Sequence, residues 1–320
     1  MNTSHFTALT AAALVTSIAP SAAWACSSCG CTLNSDWASQ GFRSSEGLSV
    51  DLRFDYFNQN ELRTGTGRVD RGAIAFPTDQ EIQQTTINRN TTITLDYGIN
   101  ADWGVTVQLP YLNRYHTTIA EGDTDISTSR SSSIGDVRVV GRYQGFSPEH
   151  NWGLLFGLKL PTGSTGVNFS AGPQSGQPLD RGLQPGTGST DVLLGVYTFG
   201  PINQSFDYFA QALLQVPVTS KDEFKPGVGA NLTAGVRYAT DGSLVPHLQV
   251  NVRTERKESG ANADIPNSGA TLAYLSPGVT WSINEKLKAF GFVQVPVYQR
   301  VTGYQIEPKY SVSAGLHYSY

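Results

Sequence analysis

The residues with the clearest chemical potential lie near the start of the chain. Cys26-Ser27-Ser28-Cys29-Gly30-Cys31 places all three cysteines of the 320-residue sequence within six positions. Thiolates this close together suit a soft ion such as Cu(I) or Zn(II), and Gly30 with the two serines would let the backbone wrap it. Three sulfurs leave a four-sulfur shell one ligand short, so Cys26, Cys29 and Cys31 would need an outside donor or the freed α-amine of Cys26. In an oxidising compartment the same trio would give one disulfide and one spare thiol, and both readings stand. Catalysis has little to draw on. His116, His150, His247 and His317 are the histidines beyond the N-terminus, and no serine carries a nucleophile-elbow pattern. The expectation is that the chain is not an enzyme.

The surrounding sequence says where those cysteines belong. Ala8–Ile18 is an apolar run broken by Pro20, and Ala23-Trp24-Ala25 has the small-x-small form of a cleavage site. Residues 1–25 therefore resemble a secretory signal, although no Lys or Arg lies in its leading part. Lipoprotein processing at Cys26 is the second reading. Beyond residue 25 there is no apolar run long enough for a membrane helix. The net charge of -4 leaves no basic footprint, so no nucleic-acid partner is expected.

From Ser49 onward the hydrophobic period is two. Val50, Leu52, Phe54 and Tyr56 alternate with Ser49, Asp51, Arg53 and Asp55, and Tyr310, Val312, Ala314, Leu316, Tyr318 and Tyr320 end the chain in the same way. The segments 190–199, 270–283 and 286–298 alternate less cleanly and also read as strands. Long connections, about 58–87, 114–133, 161–189, 218–226, 257–269 and 299–307, take turns with short ones, about 99–102, 146–151, 200–204, 240–243 and 283–286. Trp103, Trp152, Trp281, Tyr97, Tyr238 and Tyr320 fall beside the short turns. Tyr56, Phe57, Tyr111, Tyr115 and Tyr298 fall at the other end. Strands near ten residues with one apolar face, two aromatic belts, and long loops on one rim with turns on the other describe an outer-membrane barrel. Gly315, Tyr318 and Tyr320 add a C-terminal spacing of the kind read by the outer-membrane assembly machinery.

Three glycine-bearing pieces carry a family resemblance: Ser133-Ile134-Gly135-Asp136-Val137, Leu160-Pro161-Thr162-Gly163 and Gly186-Thr187-Gly188-Ser189-Thr190-Asp191-Val192. They resemble the outer-membrane barrel family named for a phenol-degradation pathway. That likeness implies a barrel with a transport-like role over most of residues 47–320, and it does not imply a phenolic substrate.

The expected fold is therefore an all-β, closed antiparallel transmembrane barrel of about twelve strands over residues 47–320. A signal at 1–25 and a periplasmic cysteine-bearing segment at 26–46 would precede it, in the outer membrane of a Gram-negative bacterium. Alternation puts Asp51, Arg53, Asp55, Asp96, Asp136, Arg138, Arg142, Lys159, Arg237, His247, Arg253 and His317 on the inner face. A polar path of mixed sign suits small solutes. The expectation is a channel whose partners are the lipid bilayer, the assembly machinery and small solutes. The other reading is a closed-lumen structural or metal-sensing protein. Trp37 and Phe42 suggest that the 26–46 segment docks into or beneath the barrel mouth.

Overall fold

A computed structural model describes residues 33, 36–38, 40–41, 46–238 and 242–320. The signal at 1–25, the cysteines Cys26, Cys29 and Cys31, and Phe42 lie outside the described residues.

The described chain is all β apart from two single 3-10 turns. It runs β1 (Gly47–Gly65), β2 (Gly67–Arg68), β3 (Ile82–Gly98), β4 (Trp103–Ile119), β5 (Ser127–Ile134), β6 (Val137–Tyr143), β7 (Trp152–Leu160), β8 (Asp191–Pro201), β9 (Phe206–Pro217), β10 (Gly229–Tyr238), β11 (Leu244–Glu255), β12 (Ala270–Ser282) and β13 (Leu287–Ser319). Antiparallel neighbours follow in the order β13-β12-β11-β10-β9-β8-β7-β6-β4-β3-β1, and β1 pairs back onto β13, so the sheet closes on itself. Closure removes the unpaired edges that an open sheet would present. β2 hangs from β1, and β5 pairs with the far part of β4.

About twelve strands were expected, and the ring holds eleven. β13, at 33 residues, has two arms. Residues 288–301 pair with β12 and residues 301–319 pair with β1, with Gly303 in left-handed backbone between them (φ +64°). The arms lie side by side: Ser319 N donates to Lys286 O at 2.9 Å, and a Cβ on Gly315 would sit 2.4 Å from the Phe290 ring.

The wall inverts the usual soluble pattern. Leu52, Phe54, Leu154, Phe156, Leu158, Leu194 and Leu232 point outward and are exposed, while Asp51, Asp55, Asp96, Lys159, Asp191 and Asn251 are buried inside. Trp103, Trp152 and Trp281 stand exposed near the short turns, with Tyr111 and Tyr298 exposed toward the other end. Phe57 departs from its expected place in the outer belt. Adjacent residues on a strand face opposite ways, so with Tyr56 outward Phe57 turns in and is 3 % exposed.

The connections expected at 58–87 and 114–133 are shorter than read. β1 runs on to Gly65, β3 starts at Ile82, β4 reaches Ile119, and 127–134 is itself strand β5. His116, expected in a loop, is therefore a strand residue, fully buried, with Nδ1 2.8 Å from Thr86 Oγ1. These extensions are rich in Thr, Asn and Ser on both faces. They pair in register (Thr86 with His116, Arg114 with Ser131) without the apolar alternation that marks the rest of the wall.

Candidate functional site in the lumen

The inner wall is built from cross-strand pairing, which sets opposite charges on neighbouring strands. Asp96 and Arg142 project inward from β3 and β6, on either side of β4; Arg142 Nη1 donates to Asp96 Oδ1 at 3.0 Å, and Thr106 of β4 donates to the same oxygen at 2.7 Å. Both side chains of this pair are about 7 % exposed. Asp51 and His317 face each other on β1 and β13, 2.7 Å apart. Arg53 and Arg253 each pair with the carboxylate two residues along their own strand, Asp55 at 2.9 Å and Glu255 at 2.6 Å. Arg237 lies 3.8 Å from Asp207 and covers the Phe209 ring. Of the side chains expected inside, Arg53, Asp55, Asp136, Arg138, Lys159 and Arg253 line the larger interior chamber, and Asp51, Asp96, Arg142, Arg237, His247 and His317 are buried.

Two of these, Asp136 and Lys159, gather with Asp191 and with loops from one rim. Asp136 Oδ1 accepts from Gly163 N (3.0 Å), and its Oδ2 accepts from Thr187 N (2.9 Å) and Thr187 Oγ1 (2.7 Å). Lys159 Nζ sits 3.2 Å from Asp136 and 3.0 Å from Asp191. Thr162 Oγ1 donates to Gly135 O and accepts from Val137 N. The three glycine-bearing pieces singled out in the sequence thus form one network. Gly163 and Gly186 let their backbones meet, since a Cβ on Gly163 would lie 2.6 Å from Gly186 Cα.

The same loop closes one end of the lumen. Leu179 and Leu183 are buried around a 3-10 turn at Arg181–Leu183, where the Asp180 side chain accepts from Gly182 N. Arg114 Nη1 reaches across from β4 to Leu183 O at 2.6 Å. Asp180 and Asp264 are buried here. Desolvation, with Glu258 and Glu81 nearby, pushes the Asp264 carboxyl up to about 8 and raises Asp180 well above its ordinary value.

Toward the opposite end, Leu33 and Trp37 lie inside the ring. Trp37, 5 % exposed, packs edge-on against Phe290 with ring centroids 4.9 Å apart, and lies near His247 and His317 at 6.3 and 6.4 Å. Leu33, Trp37, Phe290 and Phe292 form one apolar cluster inside the ring. Arg53 Nη1 donates to Leu33 O at 3.5 Å.

Two adjoining chambers remain between that loop and the cluster around Trp37. The larger, about 300 Å³, is lined by Asp55, Asp136, Lys159 and the closing loop; the smaller, about 180 Å³, is lined by Leu33, Asp36 and an apolar patch. Arg53, Gln108, Arg138 and Arg253 line both. The patch consists of Val140, Leu155, Leu193 and Leu213, one inward residue from each of β6 to β9. Alternation alone missed them, because each is half of an apolar doublet: Val139-Val140, Leu154-Leu155, Leu193-Leu194, Leu213-Leu214. On a strand whose outer face is apolar, the other member of such a doublet must face in, and that signal was present in the sequence. Among the described residues no group of three or more His, Cys, Asp or Glu is placed to hold a metal ion.

No family model matches the sequence, and no curated protein matches it. Solved structures do. An outer membrane channel from Pseudomonas putida F1 aligns over 90 % of this chain and 99 % of its own, with a TM-score of 0.63 at 10 % identity. The β domain of a Bordetella autotransporter covers 86 % of this chain and 100 % of its own at 13 % identity (TM-score 0.48). The Ralstonia pickettii toluene transporter TbuX covers 88 % and 91 % at 10 % identity (TM-score 0.45). The first likeness establishes the fold, a closed antiparallel barrel, and at that identity nothing finer. It is consistent with the resemblance to the phenol-degradation barrel family.

Proposed function

We propose that this chain is an outer-membrane barrel of a Gram-negative bacterium that passes small solutes through its lumen, and that the structure is its closed state. The observation that carries this reading is the inversion of the wall: large apolar side chains outside, ion pairs and amides inside, and two connected chambers along the axis. An apolar exterior of this extent has no place in water and suits lipid. Counting the two arms of β13 separately gives an even strand number. Both ends of the barrel then fall on one side, the periplasm, with the loops at 161–190 and 256–269 outside and the C-terminal strand available to the assembly machinery. Trp37 and its neighbours would then close the lumen from the periplasm.

Closure of this kind also favours a second reading, a barrel with a permanently closed lumen that acts through Cys26, Cys29 and Cys31 as a Cu(I)- or Zn(II)-binding surface protein. Planar-bilayer recording of the purified full chain separates the two. Discrete openings in salt support the channel. Silent membranes for both the parent chain and a variant with Trp37 truncated would remove it. Thiol titration and metal analysis of anaerobically purified protein address the cysteines: fewer than two free thiols and no bound copper or zinc would discard the metal reading.

A further inference from the structure

The junction of the two chambers has a chemistry that the channel reading does not require. Three guanidinium groups, from Arg53, Arg138 and Arg253, face it from three separate strands. Two of them carry a carboxylate from their own strand: Asp55 for Arg53 and Glu255 for Arg253. Arg138 differs. Its Nη2 donates to Gln215 Oε1 at 3.3 Å, and among the described residues no carboxylate lies within ion-pair range of it. A guanidinium presents five donors in a planar fork that matches a carboxylate. Its partner here is one neutral amide at a long distance, and it faces open volume on both sides.

The volume beside it is not uniformly polar. Leu155, Leu193 and Leu213 line the smaller chamber, and the first two are buried to 4 % and 0 % exposure. The patch sits among polar neighbours: Thr106, Gln108, Gln211, Asn231 and Thr233 line the same chamber, as does the Asp36 carboxylate. A cavity that combines an apolar floor with a few convergent polar groups is the usual form of a small-molecule site. The smaller chamber alone has the liquid volume of about six waters, and it opens onto the larger one.

We propose that this junction is a binding site for a small amphiphilic monocarboxylate, aromatic or short-chain aliphatic. Its carboxylate would sit on the Arg138 fork and its apolar body would lie against Val140, Leu155 and Leu213. The proposal deepens the channel reading by naming a solute class, and it is tested without conductance so that the two stand or fall separately. A larger neutral hydrocarbon would leave Arg138 without its anion, and a small hydrophilic anion would leave the leucines against water. Neither uses both halves of the site.

The test is isothermal titration of the detergent-purified full chain with benzoate, benzamide and acetate. Benzoate is expected to bind, and benzamide and acetate at least about tenfold more weakly, because each lacks one half of the match. Arg138→Gln should weaken benzoate by about 10- to 100-fold, the range for loss of a charged hydrogen-bonded contact, with Arg138→Lys falling between. Heat-modifiable gel mobility reports that each variant is still a folded barrel. Leu213→Asn serves as a second probe and should weaken benzoate while leaving acetate unchanged. Absence of benzoate binding to the parent chain, equal binding of benzamide, or unchanged benzoate affinity in folded Arg138→Gln would each overturn the site. Benzoate binding by a chain that never conducts would keep the site and remove the channel.

Discussion

Replacing Trp37 by alanine should open the barrel. Trp37 is 5 % exposed and is the largest side chain in the apolar cluster that holds the segment before β1 inside the ring. Burying a tryptophan removes about 150–250 Å² from water, on the order of 4–6 kcal/mol at the usual area coefficient, which is an upper figure. Truncation of buried Phe or Trp costs about 3–5 kcal/mol. Leu33 adds about 2 kcal/mol of burial and a 3.5 Å contact from Arg53 to its carbonyl, and Ala38 and Gln40 are buried beside it. Trp37 is the largest single contribution to this attachment, and its loss shifts docking toward release by about 100- to 4,000-fold. The ring itself stays closed through β1 and β13, which pair independently of this segment. The assay is single-channel recording of the parent and Trp37→Ala in planar bilayers, with gel mobility as the folding control. A large rise in open probability is expected. A folded Trp37→Ala barrel with the parent's open probability would refute the reasoning that this side chain holds the closure.

Three further outcomes follow from the same geometry. Asp264 is pushed up to about 8, so between its ordinary 3.8 and 8 the folded protein holds a proton that the unfolded chain releases; stability is therefore greatest at the acid end and falls as pH rises toward 8. Melting temperature against pH should show this slope and Asp264→Asn should flatten it, whereas an unchanged slope in the variant would contradict the assignment. Arg142→Gln leaves Asp96 buried without its cation and should destabilise by about 3–5 kcal/mol, visible as a lower unfolding temperature, with Asp96→Asn/Arg142→Gln recovering most of the loss. Gly163→Ala places a Cβ 2.6 Å from Gly186 Cα and should undock the 161–190 loop, read as faster limited proteolysis there with no change in the cutting of 256–269.

Much of the wall was legible because its physics is local. A period of two with one lipid-compatible face determines which way Asp51, Arg53, Asp55 and His317 point, whatever they pair with. The reading went astray where that signal fails. Tyr56-Phe57 offers two aromatics in succession, and only one can face outward. Residues 113–118 and 127–133 carry mostly Asn, Arg, His, Thr and Ser with little apolar alternation, so His116 looked like part of a loop although it lies in a long paired strand. The chamber floor escaped because Leu155 and Leu193 sit in apolar doublets that blur alternation. The closing network could not be read at all: Asp136 and Thr187 are 51 residues apart, and nothing in either piece says that the other will meet it. The resemblance picked out both pieces as sequence without giving their contact.

The arrangement of the inner charges explains why one arginine can set the character of a lumen that holds so many. Arg53–Asp55 and Arg253–Glu255 are pairs of opposite charge within one strand, Asp96–Arg142 is one joined across strands, and each behaves at a distance as a dipole. A dipole's field falls faster with distance than that of a single charge, and opposed orientations around a closed ring cancel further. Arg138 has no carboxylate at contact distance; Asp136 and Asp191 act on it from farther away and Arg53 and Arg253 oppose it, so its charge is only partly offset. At 6 Å and an effective dielectric near 20, a carboxylate would feel about 3 kcal/mol of attraction, more than a neutral solute gains from any one hydrogen bond in the same place. The paired residues make the lumen polar enough to be wetted. Arg138, with no contact carboxylate and with leucines nearby, is the group by which the proposed site would distinguish one solute from another.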